Sequence, residues 1–439
     1  MAKASVKEWL GTVRRPVPQL RLWRRRIALF ISVIGPGLIT SNVDNDAGGI
    51  YSYSLAGAQF GYLLLWTIIP MTIILYVTEE MAARMGVVTG KGLSDLIREE
   101  FGFRTTFFLM LAVLAVALGN VMAEFAGVAA SAELFGVKRH VAVPLAALLV
   151  WLLVLRGSYR LVERVFLVGC LFYVSYILSA VLAEPDWMKA AYHSVRPVVE
   201  WKLGYLVALL ALLGSTVAPW QHFYLQSSVV EKRIPRERYW ETRADVLVGS
   251  ITCMAVVFCI IVACAATLNK AGITHIQNAA DAAHALRPLA GEYASALFAF
   301  GLLNASLFAA SILPLSTAYV ICEGIGVEAG LDKSFREAPI FYWLYTALLA
   351  VGAGLILLPH TPLVRILVLS QVVNSFLLPV VLVFMLILVN RTDLMGEWRN
   401  TTPRNIIAWG TVLLVIVLTF ALLYLGVEAL GVVGGQGSR

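Results

Sequence analysis

The chain has 439 residues, of which 59% are hydrophobic and only 14% are charged. Soluble domains are about 45–50% apolar and about 25% charged, so this composition excludes an ordinary soluble domain and predicts a polytopic membrane protein. We interpret the net charge of +7 as basic loops beside anionic lipid rather than as a nucleic-acid-binding surface.

Eleven apolar stretches are long enough to cross the roughly 30 Å hydrocarbon core of a bilayer as helices. We predict an all-α polytopic membrane protein with eleven transmembrane helices, at 27–60, 62–88, 105–132, 141–155, 163–183, 203–230, 244–269, 293–321, 340–358, 362–390 and 405–429. The polar, alanine-rich run 271–292 between the seventh and eighth segments is predicted to be a loop that contains a short amphipathic helix.

The basic side chains are distributed unevenly between the two sides of the membrane. Of the 34 Lys and Arg residues, 24 lie in the first 26 residues or in alternate loops, whereas eight lie in the opposite loops and the C-terminal tail. Cytoplasmic loops of membrane proteins carry an excess of Lys and Arg. We therefore predict a multi-pass protein of the plasma (inner) membrane, with its N-terminus in the cytoplasm and its C-terminus outside.

The first segment is interrupted at its middle by Asp44-Asn45-Asp46-Ala47-Gly48-Gly49. Charge and non-helical backbone at that depth cost several kcal/mol unless they line a protein-enclosed cavity. A broken helix with carboxylates near the midplane is typical of cation sites in secondary transporters. We predict a cation site with Asp46 as its main ligand, where Asp44 and Asn45 either face the cavity or bond backbone groups freed by the break.

The sixth segment is also interrupted, by Gly214-Ser215-Thr216-Val217-Ala218-Pro219-Trp220, because Pro219 lacks a backbone donor and clashes with the preceding turn. The two breaks lie in the first segment of two five-segment blocks, and an odd number of spans inverts the second block. We predict a 5+5 inverted repeat followed by an eleventh helix. The predicted units are a basic segment, two repeats and a final loop, helix and short tail, at 1–26, 27–202, 203–390 and 391–439.

Two other segments carry polar side chains that are candidates for the site. Gln371 and Asn374 lie at i and i+3 of the tenth segment, so both amides occupy one helix face. They either bind the ion or form interhelical hydrogen bonds. Glu124 in the third segment is an intramembrane acid, and a proton relay, a vestibule charge and a hydrogen-bonded structural acid all fit its position.

At this point several motifs resemble the Nramp divalent-metal transporters, over nearly all eleven segments. The motifs are Gly35-Pro36-Gly37, Asp46-Ala47-Gly48-Gly49, Ala56-Gly57-Ala58-Gln59-Phe60-Gly61-Tyr62, Gly214 to Pro219 and Leu367 to Pro379. The resemblance implies a first break that reads Asp-Pro-Gly-Asn and a sixth helix with Met-Pro-His. It also implies that the Asp, the Asn and the Met bind manganese or iron, and that acids and histidines carry a coupled proton.

The chain departs from this family pattern at two metal ligands. Asp46 keeps the Asp, but Gly49 stands at the Asn position and Ala218 at the Met position. A thioether favours transition metals and offers nothing to Mg²⁺, which usually keeps several waters and binds through one or two carboxylates. The roomier, oxygen-only site resembles the Nramp-related magnesium transporters, and we predict transport of a largely hydrated Mg²⁺, with Mn²⁺ as a secondary substrate.

The chain also departs from the pattern at the implied proton carriers. Trp220 and Gln226 stand at the two histidine positions, and Val121 replaces the Asp of the third-helix Asp-x-x-Glu, which keeps only Glu124. Moving two charges inward gains about 4.6 kcal/mol per 100 mV, which corresponds to roughly a 2,000-fold concentration ratio. We therefore predict uncoupled, voltage-assisted uptake by alternating access.

The predicted site combines side chains with carbonyls freed near Val43 and Ser215. Its members are Asp46, Val43, Gly49, Ser215, Thr216, Ala218, Gln371 and Asn374, with Asp44, Asn45, Glu124 and Gln226 as vestibule or relay residues. We predict no cofactor besides the transported ion, no nucleic-acid partner and no obligatory protein partner.

Three alternatives remain at this stage. The first is a proton-coupled Mn²⁺/Fe²⁺ transporter of the Nramp type. The second is a sodium-coupled amino-acid symporter, although an acid-rich first break would repel the carboxylate of its substrate. The third is a membrane-embedded enzyme with Asp46 and Glu124 as acid and base, but the chain contains no His-Glu-x-x-His, no Gly-x-Ser-x-Gly and no phosphate loop.

Overall fold

The computed structural model describes residues 35–274, 276, 279–358 and 363–435. Within these ranges, the structure describes the backbone but not the side chains of 279–281, 284–290, 363–372, 375, 419 and 422–435. Every regular element in the described part of the chain is helical, and no strand occurs there. The all-α prediction is confirmed.

The first eight α-helices cover the region of the first five predicted segments. They are α1 (Pro36–Val43), α2 (Ala47–Phe60), α3 (Ile68–Thr89), α4 (Leu93–Leu134), α5 (Arg139–Arg156), α6 (Tyr159–Phe172), α7 (Val174–Leu182) and α8 (Trp187–Val195). The predicted fifth segment corresponds to α6 and α7 together, which are separated only at Tyr173.

The other eight α-helices run from the sixth predicted segment, which α9 and α10 form, to the end of the described chain. They are α9 (Leu203–Thr216), α10 (Pro219–Glu231), α11 (Tyr239–Cys264), α12 (Ala279–Ile325), α13 (Pro339–Leu357), α14 (Leu363–Asn390), α15 (Thr392–Met395) and α16 (Thr402–Gly435). The loop with a short amphipathic helix predicted for 271–292 therefore contains the start of α12.

Eight spans of the described chain are long and apolar enough to cross a membrane, and two of these are helix pairs, α6 with α7 and α9 with α10. The other three predicted spans correspond to the broken pair α1–α2, to α14 and to α16. Residues 27–34 of the first predicted segment lie outside the described residues. The predicted fold class, an all-α membrane protein with two broken helices, is thus confirmed.

The first break is shorter than its sequence suggests, because Asp46 acts as a helix N-cap. Its backbone is extended (φ −76°, ψ 177°), and its Oδ1 accepts a hydrogen bond of 2.5 Å from the Gly49 N–H. An Asp in this position satisfies a backbone donor that the first turn of a helix leaves unpaired. Gly48 and Gly49 consequently belong to α2, and the prediction that they form part of the unwound stretch is wrong.

The second break is equally short, and it results from Pro219 at the first position of α10. Proline is well suited to that position, since its fixed φ fits a helix and its missing N–H would be unpaired there. Only Val217 and Ala218 are non-helical between α9 and α10. Each broken helix opens a set of five spans.

The two sets of five spans also correspond in their third spans, each of which is kinked at a glycine. Gly102 in α4 has a φ of 80° and Gly291 in α12 has a φ of 87°, and both interrupt otherwise continuous helices. A left-handed φ is accessible to glycine at little steric cost. The two kinked helices pack against each other more extensively than any other pair in the described chain.

Candidate ion site at the two helix breaks

The first break leaves the Val43 carbonyl without its helical donor. In a continuous helix the Ala47 N–H would donate to the Val43 carbonyl, but here it donates to Glu124 Oε2 of α4 at 3.1 Å. Glu124 is therefore held against the N-terminus of α2, one residue after Asp46. The predicted availability of the Val43 carbonyl agrees with this geometry, and Glu124 stabilises the break.

The side chains of Asp44 and Asn45 leave the break in different directions. The Gln221 side chain of α10 lies beside the Asp44 carboxylate. When its NH₂ group is turned toward α1, its nitrogen donates to both carboxylate oxygens, and the distance to Oδ1 is 2.7 Å. Asn45 Nδ2 donates instead to the Cys253 carbonyl of α11 at 3.4 Å. Asp44 thus faces the second break, whereas Asn45 connects the first break to α11, the seventh span, through a hydrogen bond.

The second break also frees a carbonyl. Pro219 has no N–H to donate to the Ser215 carbonyl, four residues earlier. The Ser215 and Thr216 hydroxyls donate to carbonyls of their own helix, at 2.7 and 2.8 Å, so their oxygens keep lone pairs for an ion or its water. Thr216 Oγ1 also lies 4.0 Å from the Met71 sulfur of α3.

Both breaks are enclosed by protein. Asp44 is 1% exposed, Asp46 is 4% exposed and Ala218 is 2% exposed. No group of three or more His, Cys, Asp and Glu side chains within the described ranges is arranged to hold a metal. A cation between the breaks would therefore rely on few carboxylates, on backbone and hydroxyl oxygens and on water.

Gly49, the predicted counterpart of the family asparagine, is packed too closely for any side chain. A Cβ at this position would lie 2.7 Å from the Asp44 carbonyl oxygen and 3.2 Å from both Asp46 Oδ1 and the Tyr53 hydroxyl oxygen. The lack of an asparagine side chain at position 49 thus leaves no empty space there, because the backbone of the first break occupies the region beside Gly49.

Replacing Gly49 by Ala is expected to destabilise the protein by about 1–3 kcal/mol, the usual cost of overpacking. The added methyl group must push the Asp44 carbonyl away. The measurement is the thermal unfolding midpoint of the detergent-solubilised protein together with metal uptake. Gly354→Ala is the control, since a Cβ there meets nothing within 4 Å; equal midpoints for the two variants would contradict the prediction.

Asn374 forms a reciprocal amide pair with Asn120 of α4. Asn120 Nδ2 donates to Asn374 Oδ1 at 3.2 Å, and Asn374 Nδ2 donates to Asn120 Oδ1 at 3.3 Å. Both residues line a small cavity with Pro219 and Trp220 at the start of α10. The interhelical role considered for Asn374 is therefore observed, beside the second break, whereas the side chain of Gln371 lies outside the described residues.

We expect the amide pair to show measurable energetic coupling. Asn120→Ala and Asn374→Ala should each destabilise the protein, and the double variant should lose less than their sum by about 0.6–1.7 kcal/mol. The free energy of unfolding in detergent is the measurement. Asn304 donates to the distant Gly169 carbonyl, so Asn120→Ala and Asn304→Ala should be additive; additivity in both pairs would contradict the assignment.

Val121, at the position where the family resemblance implies an Asp, is completely buried. A Cβ on Gly352 of α13 would lie only 2.5 Å from Val121 Cγ1. The third and ninth spans therefore touch through apolar groups at this level.

Gln226 lies far along α10 from the second break. Its Nε2 donates to the Lys91 carbonyl at 2.9 Å, in the loop between α3 and α4. A cavity of about 730 Å³ adjoins this loop and is lined by both Ser227 of α10 and Glu323 of α12. Gln226 thus does not lie at the ion site, and its position fits the predicted role of a vestibule residue.

Sequence reasoning missed four polar residues that lie against the broken helices or beside the second break. They are Gln221, Asn120, Glu79 and Asp245. Glu79 of α3 is fully buried and accepts a hydrogen bond of 2.5 Å from Ser41 of α1. Asp245 of α11 caps α1 by accepting hydrogen bonds from the N–H groups of Gly35, Gly37 and Leu38. Carboxylates inside apolar segments were the available signal for the two acids.

The comparison with known proteins places this arrangement in a family. The sequence profile described as "Natural resistance-associated macrophage protein-like", or Nramp, matches residues 37–425. The chain belongs to the Nramp family. This membership confirms the predicted family and the prediction that the chain is a transporter rather than an enzyme.

Bacterial relatives and solved structures agree with this membership. The Nramp chain is 28% identical over 407 residues to the divalent metal cation transporter MntH of Burkholderia ambifaria, covering 90% of this chain and 88% of the relative. The MntH protein of Deinococcus radiodurans is also 28% identical, over 413 residues, covering 91% of each chain. A crystal structure of a mutant manganese transporter of Eremococcus coleocola has the same fold, with a TM-score of 0.72 and 22% identity, over 89% of this chain and 85% of that one.

Proposed function

We propose that this Nramp protein mediates uncoupled, voltage-assisted uptake of Mg²⁺, with Mn²⁺ as a secondary substrate. Its relatives bear the names of divalent metal cation transporters and a manganese transporter, which supports a divalent ion as cargo. The observation that carries the choice of Mg²⁺ is the buried Ala218 at the second break, where the family pattern has a thioether. Without a thioether at this position, the site lacks the soft ligand by which the family pattern favours transition metals over Mg²⁺.

The proposed ligands are oxygen atoms from both breaks. Asp46 supplies charge, and the Val43 and Ser215 carbonyls, which lack their helical donors, supply dipoles. The Thr216 hydroxyl and the amides of Gln371 and Asn374 complete the inner shell or bond water held by the ion, Asn374 through its pair with Asn120. Such a mixed shell suits Mg²⁺, which gives up water reluctantly.

The absence of coupling is supported by apolar packing where the family pattern places a proton carrier. Val121 contacts Gly352, and the histidine positions hold Trp220 and Gln226, which do not titrate. The membrane potential alone supplies about 4.6 kcal/mol per 100 mV for a divalent ion. We also propose that the protein lies in the plasma membrane with its N-terminus in the cytoplasm, as its basic loops predict.

The second candidate is proton-coupled Mn²⁺/Fe²⁺ transport. It is favoured by the names of the relatives and by Glu124, an acid retained beside Asp46 at the start of α2. Coupled transport would need Glu124 to exchange a proton while it holds the Ala47 N–H.

The dependence of Mg²⁺ uptake on membrane potential tests the proposal. Proteoliposomes with a potassium gradient and valinomycin are set to different inside-negative potentials, and initial Mg²⁺ uptake is measured with an internal dye. The proposal predicts saturable uptake that drives accumulation by up to roughly 2,000-fold at 100 mV, from two charges moved per ion. Saturable Mn²⁺ uptake with no Mg²⁺ uptake at any potential would contradict it.

A further inference from the structure

The Asp44 side chain links the two broken helices. It stands at the C-terminus of α1, beside Gln221, which lies two residues after Pro219 in α10; with the Gln221 NH₂ group turned toward α1, both carboxylate oxygens of Asp44 accept hydrogen bonds from it. Asp44 is 1% exposed and Gln221 is fully buried. An ion bound between the breaks would therefore lie close to the hydrogen bonds that join Asp44 and Gln221.

The protein does not neutralise the Asp44 carboxylate with a base. Among the residues that the structure describes, no Lys, Arg or His nitrogen forms an ion pair with Asp44, whereas the buried Glu80 has Arg84 at 3.2 Å. The Gln221 amide stabilises the carboxylate by hydrogen bonding but carries no charge. A buried carboxylate of this kind is costly unless a cation compensates it.

We propose that Asp44 is a second carboxylate of the ion site and that Gln221 is the residue that positions it. This inference rests on the proposed function. Asp44 and Asp46 together carry two negative charges, which match the charge of a divalent ion bound between the breaks. Two carboxylates with retained water are also a common shell for Mg²⁺.

The hydrogen bonds that the neighbouring polar groups form lead to elements other than α10. Asn45 donates to the Cys253 carbonyl, and Glu124 accepts from the Ala47 N–H. Glu79 accepts from Ser41 and, at 3.4 Å, from Ser250, between α1, α3 and α11. Asp44 alone among these groups is bonded to the helix that begins at the opposite break.

A double-mutant cycle tests the proposal with Asp44→Asn, Gln221→Leu and the double variant. We expect Asp44→Asn to raise the Mg²⁺ KM of uptake by roughly tenfold or more, because a charge that faces the ion is lost. Gln221→Leu should raise KM by roughly threefold to tenfold with little change in the maximal rate, since the carboxylate remains but is no longer held. In the Asp44→Asn background, Gln221→Leu should have no further effect on KM.

Two results would overturn the proposal: an unchanged KM for Asp44→Asn, or an equal effect of Gln221→Leu in both backgrounds. Gel filtration and thermal unfolding in detergent ensure that only folded variants are compared, and Asp44→Asn is isosteric and keeps a hydrogen-bonding group. A wild-type protein that transports Mn²⁺ and no Mg²⁺ would contradict the proposed function. The same cycle measured with Mn²⁺ would then decide the role of Asp44.

Discussion

Replacing Asp46 by Asn is expected to abolish Mg²⁺ uptake while the protein still folds. An asparagine oxygen can accept the Gly49 N–H that Asp46 Oδ1 accepts now, so the start of α2 is preserved. What is lost is the charge between the two breaks. Removing one charge from a buried, paired site costs about 3–5 kcal/mol, which corresponds to more than roughly a hundredfold in affinity.

The measurement is the initial rate of Mg²⁺ entry into proteoliposomes at a fixed potential, for wild type and variant reconstituted at equal density. Glu133→Gln is the matched control, because Glu133 is an exposed acid near the end of α4. The control should transport like the wild type. Undiminished Mg²⁺ uptake by Asp46→Asn would show that the ion does not bind at the first break.

Replacing Ala218 by Met is expected to shift the substrate preference from Mg²⁺ to Mn²⁺. Ala218 lies buried between Val217 and Pro219, directly at the second break. A methionine there places a soft sulfur in the site and displaces water that a hydrated Mg²⁺ needs. We expect the ratio of Mn²⁺ to Mg²⁺ uptake to rise by roughly tenfold or more, which requires about 1.4 kcal/mol of differential binding.

Ala218→Leu separates the sulfur from its bulk. Leucine is close to methionine in size, so it should lower Mg²⁺ uptake without raising the affinity for Mn²⁺. Competition between the two ions, measured over a range of concentrations in one set of vesicles, gives the ratio directly. If Ala218→Met and Ala218→Leu changed the ratio equally, the account of selectivity by ligand softness would be wrong.

Much of the fold was predictable because its signals are local. Pro219 interrupts the sixth span through its own missing N–H, and Asp46 begins α2 by capping it. Chain length and hydropathy give the number of spans. The extent of the first break was not predicted correctly, since glycines next to an N-cap can enter the helix, as Gly48 and Gly49 do.

The contacts that connect the breaks were not predictable from local patterns. Asn120 and Asn374 are 254 positions apart in sequence, and their pairing depends on how α4 and α14 lie against each other. The contact between Asp44 and Gln221 likewise depends on the packing of α1 against α10. A sequence motif identifies a candidate ligand, but the neighbour that positions it is set by helix packing.

The most direct test of uncoupled Mg²⁺ transport is simultaneous measurement of Mg²⁺ and pH inside proteoliposomes. The vesicles contain one dye for each ion, and Mg²⁺ is added outside at an inside-negative potential. We predict saturable Mg²⁺ entry with no acidification beyond that of protein-free vesicles. Mn²⁺ entry with acidification, and without Mg²⁺ entry, would contradict the account and indicate a proton-coupled transporter that uses other proton carriers.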